Sequence, residues 1–153
     1  MLTLDFFNAS KSKRYFCLPY SEKMKLFRAY AYDLLETHYS NLGFSQEDEN
    51  EDHMKTLSRI SANEAMCQLD YQDCVQNAND YYEESWIPFG PVPGAKIPAD
   101  IIDVVLNTGI RTGDAQRWFY LEQKFKITTT VDFVKKKYLV ALARTEDPYN
   151  IKR

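Results

Sequence analysis

The chain has 153 residues, 44% of them hydrophobic and 27% charged, with a formal net charge of −3. That balance belongs to one globular domain with its own core. The small negative charge excludes a general attraction to nucleic acid or to anionic membranes, and no apolar run approaches the ~20 residues of a membrane-spanning helix.

Residues 1–20 read as an irregular segment. Met1-Leu2-Thr3-Leu4-Asp5-Phe6-Phe7 has no basic n-region and no cleavage site, so it is not a signal peptide. The expectation is a start inside a longer reading frame. Asn8-Ala9-Ser10 is a glycosylation sequon, which makes Asn8 a candidate acceptor.

Helical spacing dominates from there on. Ser21 is placed to cap a first helix reaching about Tyr39, with Phe27, Tyr30, Ala31, Leu34, Leu35 and His38 on one face. Gly43 supplies its stop. The acidic run Glu47, Asp48, Glu49, Glu51 and Asp52 lacks the glycine and the spacing of a calcium loop, so it reads as a solvated connection. A second helix is expected over about His53 to Leu69, with Met54, Leu57, Ile60 and Met66 as its apolar face. Asp70 is placed to cap a third, from about Tyr71 to Ser85, which buries Val75, Ala78, Tyr81 and Tyr82.

Residues 86–98 hold four prolines and two glycines and read as a Pro-rich loop. Pro98 suits the first position of a fourth helix, about Ala99 to Asn107, ended by Gly109 and Gly113. Ile101, Ile102, Val104, Val105 and Leu106 are apolar nearly all round, so this helix should be central; a short β-strand is the competing reading. Gly109-Ile110-Arg111-Thr112-Gly113 lacks the Gly-Lys-Ser/Thr ending of a phosphate loop. Asp114 caps a fifth helix to about Lys126, burying Trp118, Leu121 and Phe125. Thr130 caps a sixth to about Arg144, burying Val134, Tyr138, Ala141 and Leu142. Asp147-Pro148 reads as the start of a seventh. The sum is an all-α chain of about three antiparallel helix pairs, repeating at roughly forty residues, the rhythm of HEAT-like or armadillo-like solenoids.

Residues able to do chemistry are scarce. His38 and His53 are fifteen positions apart and neither precedes a glutamate, so no catalytic or metal site is expected. The cysteines are Cys17, Cys67 and Cys74. Spacing leaves the last two open between reduced core residues and a small disulfide loop.

Several segments, in order, resemble the aminopeptidase N-like zinc aminopeptidases. Leu42-Gly43-Phe44 is similar to that family's helix-ending Leu-Gly-Phe/Trp. Cys67 and Cys74, around Leu69-Asp70-Tyr71-Gln72-Asp73, resemble its Ala-Cys-x-x-Gly-x-x-x-Cys segment. Ile97-Pro98-Ala99-Asp100 resembles an Ile-Pro-Pro/Ala-Asp/Asn helix start. Thr112-Gly113 with Trp118 looks like Gly-Gly-x-x-x-Trp, and Ala141-Leu142-Ala143 with Asp147-Pro148 looks like Ala-Leu-Ala-Cys-Thr-x-Asp-Pro.

The resemblance implies part of the helical C-terminal domain, incomplete at both ends. It also implies a Cys67–Cys74 disulfide. A second family disulfide would join positions matching Asn107 and Arg144, where both cysteines are missing. The family's His-Glu-x-x-His and Gly-x-Met-Glu-Asn motifs are not in this sequence, so zinc, peptide substrates and hydrolysis of N-terminal residues are implied for the parent enzyme alone. The implied partners are the catalytic domain and neighbouring helical repeats. The implied location is the extracellular face of the plasma membrane or the secretory pathway. An independent solenoid module that binds a peptide or protein is the alternative, which an exposed row of aromatics drawn from the eleven tyrosines would favour.

Overall fold

The computed structural model describes residues 22–46, 51–86, 97–127, 132–147 and Asn150. It contains α1 (Glu22–Leu42), α2 (His53–Gln68), α3 (Gln72–Trp86), α4 (Ile102–Thr112), α5 (Ala115–Ile127) and α6 (Asp132–Leu142). Among the described residues there is no strand, so the competing strand reading of 101–106 falls away. The expected caps at Ser21 and Thr130 lie outside the described residues, as do Asn8, Cys17, Pro148 and most of the Pro-rich loop; Trp86 belongs to α3, not to that loop.

Contacts between helices fix their directions. Tyr32 in α1 donates to the Leu69 carbonyl past the end of α2, at 2.6 Å, while Arg59 within α2 donates to the Leu42 carbonyl at the end of α1, at 3.0 Å. The two helices are therefore antiparallel. In the next pair, Gly109 of α4 lies against Tyr82 of α3, and Thr112 donates to Asn79 at 3.2 Å, again antiparallel. Trp118 near the start of α5 donates its indole N–H to the Leu142 carbonyl at the end of α6, at 3.1 Å. Between pairs the direction is reversed: Arg59 faces Asp100 just before α4, and Cys67 meets Arg111 near its end, so α2 and α4 run parallel. Antiparallel pairs stacked with like helices parallel make a solenoid-like, all-α domain.

α4 lies at the centre and packs against α2, α3, α5 and α6. Ile101, Val105, Leu106 and Ile110 are buried with Tyr82, Leu121 and Ala141, and each large aliphatic among them contributes about 1.5–3 kcal/mol by leaving water. A second cluster joins α1, α2 and α3 through Tyr39, Met66, Ala78 and the Cys67–Cys74 pair, with Val104 of α4 completing it. The half-buried Phe44 touches both clusters and stacks on Tyr81 with ring centroids 5.7 Å apart.

Several boundaries depart from expectation for identifiable reasons. α4 starts later than Ala99, because residues 99–101 form a turn in which the Ile101 amide donates to the Pro98 carbonyl at 3.2 Å; Pro98 therefore precedes the helix. α4 also runs straight through Gly109 to Thr112. Gly109 is a point of close helix approach: a Cβ there would sit 2.4 Å from Cδ2 of Tyr82. Gly43 does end α1, at φ +70. Asp114 does cap α5, accepting from the Arg117 amide at 3.0 Å.

Asp70 is not the cap of α3. It ends α2 in the left-handed conformation, at φ 64. Its amide donates to the Cys67 carbonyl at 3.1 Å and that of Tyr71 to the Met66 carbonyl at 3.0 Å, the paired bonds of a Schellman ending. Asp70 thus occupies the glycine position of the Cys-x-x-Gly segment it resembles.

The apolar face assigned to α1 splits in two. Ala31 and Tyr39 are buried, and Leu35 is half-buried, while Tyr30, Leu34 and His38 are exposed. On α2, Met54 and Leu57 are exposed, and the buried positions are Arg59, Ala62, Asn63, Met66 and Cys67. The elsewhere expected core residues Ala78, Tyr82, Leu121 and Ala141 are buried; Val75, Tyr81, Trp118, Phe125, Val134, Tyr138 and Leu142 are half-buried.

Gly109→Ala should cost about 1–3 kcal/mol, since the added methyl cannot be accommodated without moving the Tyr82 ring. A urea denaturation midpoint unchanged from the parent chain would contradict that contact.

Candidate functional site

Three arginines tie each helix pair to its surroundings. Arg59 of α2 is buried. Its Nε donates to the Leu42 carbonyl, one Nη pairs with Glu51, and the other faces the Asp100 carboxylate at 3.7 Å. Next to it the buried Asn63 donates to the Phe44 carbonyl at 2.7 Å. Helix ends leave carbonyls without helical partners, and these two side chains serve those of the α1–α2 turn. The guanidinium of Arg59, with Lys55 beside it, lowers the Glu51 carboxyl to about 2.

Arg111 of α4 donates to the Cys67 carbonyl at 2.7 Å and pairs with Asp70; Arg28 of α1 pairs with the second Asp70 oxygen at 2.5 Å. One aspartate in a left-handed turn therefore gathers α1, α2 and α4. Arg117 of α5 donates to Asn79 at 2.5 Å, reaches Glu83 at 2.6 Å and lies over the Tyr82 ring, 5.2 Å from its centroid. Burial pushes the Tyr82 and Tyr39 phenols up, and a 2.7 Å hydrogen bond from Tyr39 to the Asp73 carboxylate adds to the effect there. Phenols of this kind stay neutral at physiological pH and serve as structural donors.

Cys67 and Cys74 are joined in the structure as a disulfide with Cα atoms 5.2 Å apart. The bond spans the α2–α3 turn that carries Asp70. Between α2 and α4 lies a cleft of ≈ 20 Å³ lined in part by Glu64, Cys67, Asn107, Arg111 and Arg144. That volume admits about one water and is far below the ~300 Å³ of a small-molecule site. Asn107 and Arg144, which correspond by resemblance to a missing second disulfide, thus face one cleft.

The histidines are not brought together. His38 is exposed late in α1, and His53 is exposed at the first position of α2. Among the described residues no three His, Cys, Asp or Glu side chains group so as to hold a metal ion, and no helix is long and apolar enough to cross a membrane. The arginine network had no sequence signal of its own, because a buried arginine on a helix with exposed Met54 and Leu57 inverts the usual pattern.

The family model for the ERAP1-like C-terminal domain matches residues 7–153. The chain belongs to this family. It is a C-terminal helical domain of aminopeptidase N-like enzymes, as the resemblance in five short segments implies, and its context is an aminopeptidase. A comparison with curated proteins finds no match.

Two measurements test this site. Denatured without reductant, the chain should show one titratable thiol, Cys17, and three after reduction; replacing Cys67 and Cys74 together by serine should cost ~2–3 kcal/mol for a loop this short. For Glu51, the folded value lies below its ordinary 4.5, so the stabilisation from its pairing is full above that pH and is lost as pH falls toward about 2. The gap in melting temperature between the parent chain and Glu51→Gln should accordingly close over that interval; a gap that persists at the acid end would refute the pairing.

Proposed function

We propose that this chain is a non-catalytic part of the helical domain of a zinc metalloaminopeptidase, where it caps the active-site cavity and limits which peptides enter. The family match over residues 7–153 carries this reading. The stacked pairs suit it, since a solenoid presents an extended surface and can rotate as one body. The parent reaction is hydrolysis of N-terminal amino acids from peptides, with zinc supplying a Lewis acid and a bound hydroxide from another part of the enzyme. The chain would contact that catalytic domain and neighbouring helical repeats. The Cys67–Cys74 disulfide supports an oxidising location, at the cell surface or in the secretory pathway.

An independent peptide-binding module draws no support from the tyrosines. Of those described, Tyr30 is exposed, Tyr39 and Tyr82 are buried, and Tyr32, Tyr71, Tyr81, Tyr120 and Tyr138 are half-buried in packing contacts, so they form no surface row.

Purified alone, the chain should leave an aminoacyl chromogenic substrate intact with or without added zinc. Turnover that survives stringent purification and stops with a chelator would overturn the assignment. In the parent enzyme, Arg111→Gln should alter turnover of long peptides while leaving that of a single-residue chromogenic substrate unchanged. Equal effects on both would argue against a role in peptide access.

A further inference from the structure

The turn between α2 and α3 is closed in two independent ways. One closure is covalent, the Cys67–Cys74 bond across seven positions. The other is polar. Within the turn the Asp70 amide donates to the Cys67 carbonyl and the Tyr71 amide to the Met66 carbonyl. From outside, Arg111 holds the Cys67 carbonyl and one Asp70 oxygen, Arg28 holds the other oxygen, and Tyr32 holds the Leu69 carbonyl. These contacts keep the two cysteines close whether or not their sulfurs are bonded.

The surroundings of the sulfurs suit both redox states. Cys67 is 2% and Cys74 0% exposed, inside the apolar cluster with Tyr39, Met66 and Ala78. A reduced cysteine packs in such a cluster as a small hydrophobe. The Cys74 Sγ also lies 3.3 Å from the Asn63 carbonyl oxygen, so a thiol formed there has an acceptor in place. Burial sets the route of attack. Neither sulfur meets solvent, so a reductant reaches the bond only from a locally opened state. Opening means parting Asp70 from Arg111 and Arg28, because these pairs fasten the turn to α4 and α1.

We propose that Cys67–Cys74 is a redox latch on the joint between the first two helix pairs, opened by a dithiol reductant while the helices stay folded, and gated by the Arg28–Asp70–Arg111 ion pairs. A thiolate of the reductant attacks one cysteine sulfur, the S–S bond breaks, and the other sulfur leaves as a thiolate that takes up a proton. The reductant's second thiol then displaces the first cysteine from the mixed disulfide. The cysteines gain two electrons and two protons, and the reductant becomes a disulfide. With the latch open, the turn is held by its polar contacts alone and opens more often.

Timed reduction of the purified 153-residue chain by dithiothreitol under native conditions tests the proposal, with alkylation in denaturant and mass spectrometry at each time point. The parent should pass slowly from one alkylated cysteine to three and keep its helical circular dichroism. It should re-form the same bond when oxidised glutathione replaces the reductant. After reduction, backbone amides of residues 66–75 should exchange faster, with α5 and α6 unchanged. Arg111→Gln should speed reduction about tenfold, the scale of losing one charged hydrogen bond. Arg28→Gln, whose side chain is 31% exposed, should speed it less, and it replaces Arg111→Gln should that variant fail to fold. Arg117→Gln breaks the contacts to Asn79 and Glu83 away from the turn and should leave the rate as it is. Loss of the helical signal on reduction would overturn the proposal, because the bond would then be a requirement of the fold. So would equal rates in the parent and in the Arg111 and Arg28 variants, or unchanged amide exchange at the turn. Equal acceleration by Arg117→Gln would also overturn it, since that marks global rather than local opening.

Discussion

The structure turns on one short segment, residues 67–74. Asp70 accepts a backbone conformation usually left to glycine, which costs non-glycine residues about 1 kcal/mol or more. The compensation is visible. Its carboxylate takes Arg111 on one oxygen and Arg28 on the other, and Tyr32 and Arg111 satisfy the carbonyls of Leu69 and Cys67 at the end of α2. The Cys67–Cys74 disulfide closes the same turn covalently. Aspartate tolerates the left-handed region better than most residues because its short polar side chain can bond locally. Here it also adds a charge that glycine would lack, and with it a joint between the first two helix pairs.

From that joint the remaining packing follows. α3 leaves the turn alongside α1, where Tyr71 meets Tyr32 and Tyr39 edge to face at 5.3 and 5.6 Å between centroids. α4 then comes down antiparallel to α3, with Gly109 against Tyr82 allowing backbone and ring to approach closely. The approach brings Arg111 back to the turn, so the central helix is held at its C-terminal end by the residue that ends α2. A basic residue there also suits the helix dipole.

Much of this was legible in the sequence, and the failures share a cause. Helix existence and order followed from apolar spacing, and Gly43 and Asp114 served as stop and cap because their chemistry is local. What periodicity could not supply was which face turns inward when a helix carries two apolar stripes. α1 buries Ala31 and Tyr39 and leaves Leu26, Tyr30 and Leu34 outside. The decision is made by the neighbour, since the carbonyls of Leu42 and Phe44 need donors and Arg59 and Asn63 can reach them only if that side of α2 is inward. Met54 and Leu57 are then carried to the surface. Gly109 failed similarly: a glycine in a helix reads as a stop until the ring that fills its missing side chain is known. The arginine contacts that bridge one helix pair to the next join residues 34 to 44 positions apart, such as Arg111 with Cys67 across 44, a range at which a single sequence carries no pairing information.

The two apolar clusters meet at Phe44 and through α4, which contributes Val104 to one and Val105 to the other, so the core is continuous across all three pairs. A continuous core resists bending at the joints, because any hinge between pairs would open packed apolar surface to water. The arginine bridges between pairs act in the same direction. Such a body is poorly suited to closing over a ligand by internal motion, and its small α2–α4 cleft offers no room for one. It is well suited to moving as a unit against whatever lies at its ends. Among the described residues, the solvent-facing large apolar side chains lie on the first and last pairs rather than on the middle one. If the domain governs access to a catalytic cavity, the control must therefore lie in how the whole stack is positioned by its end contacts. Arg59, Arg111 and Arg117 bind successive pairs together and keep the stack rigid.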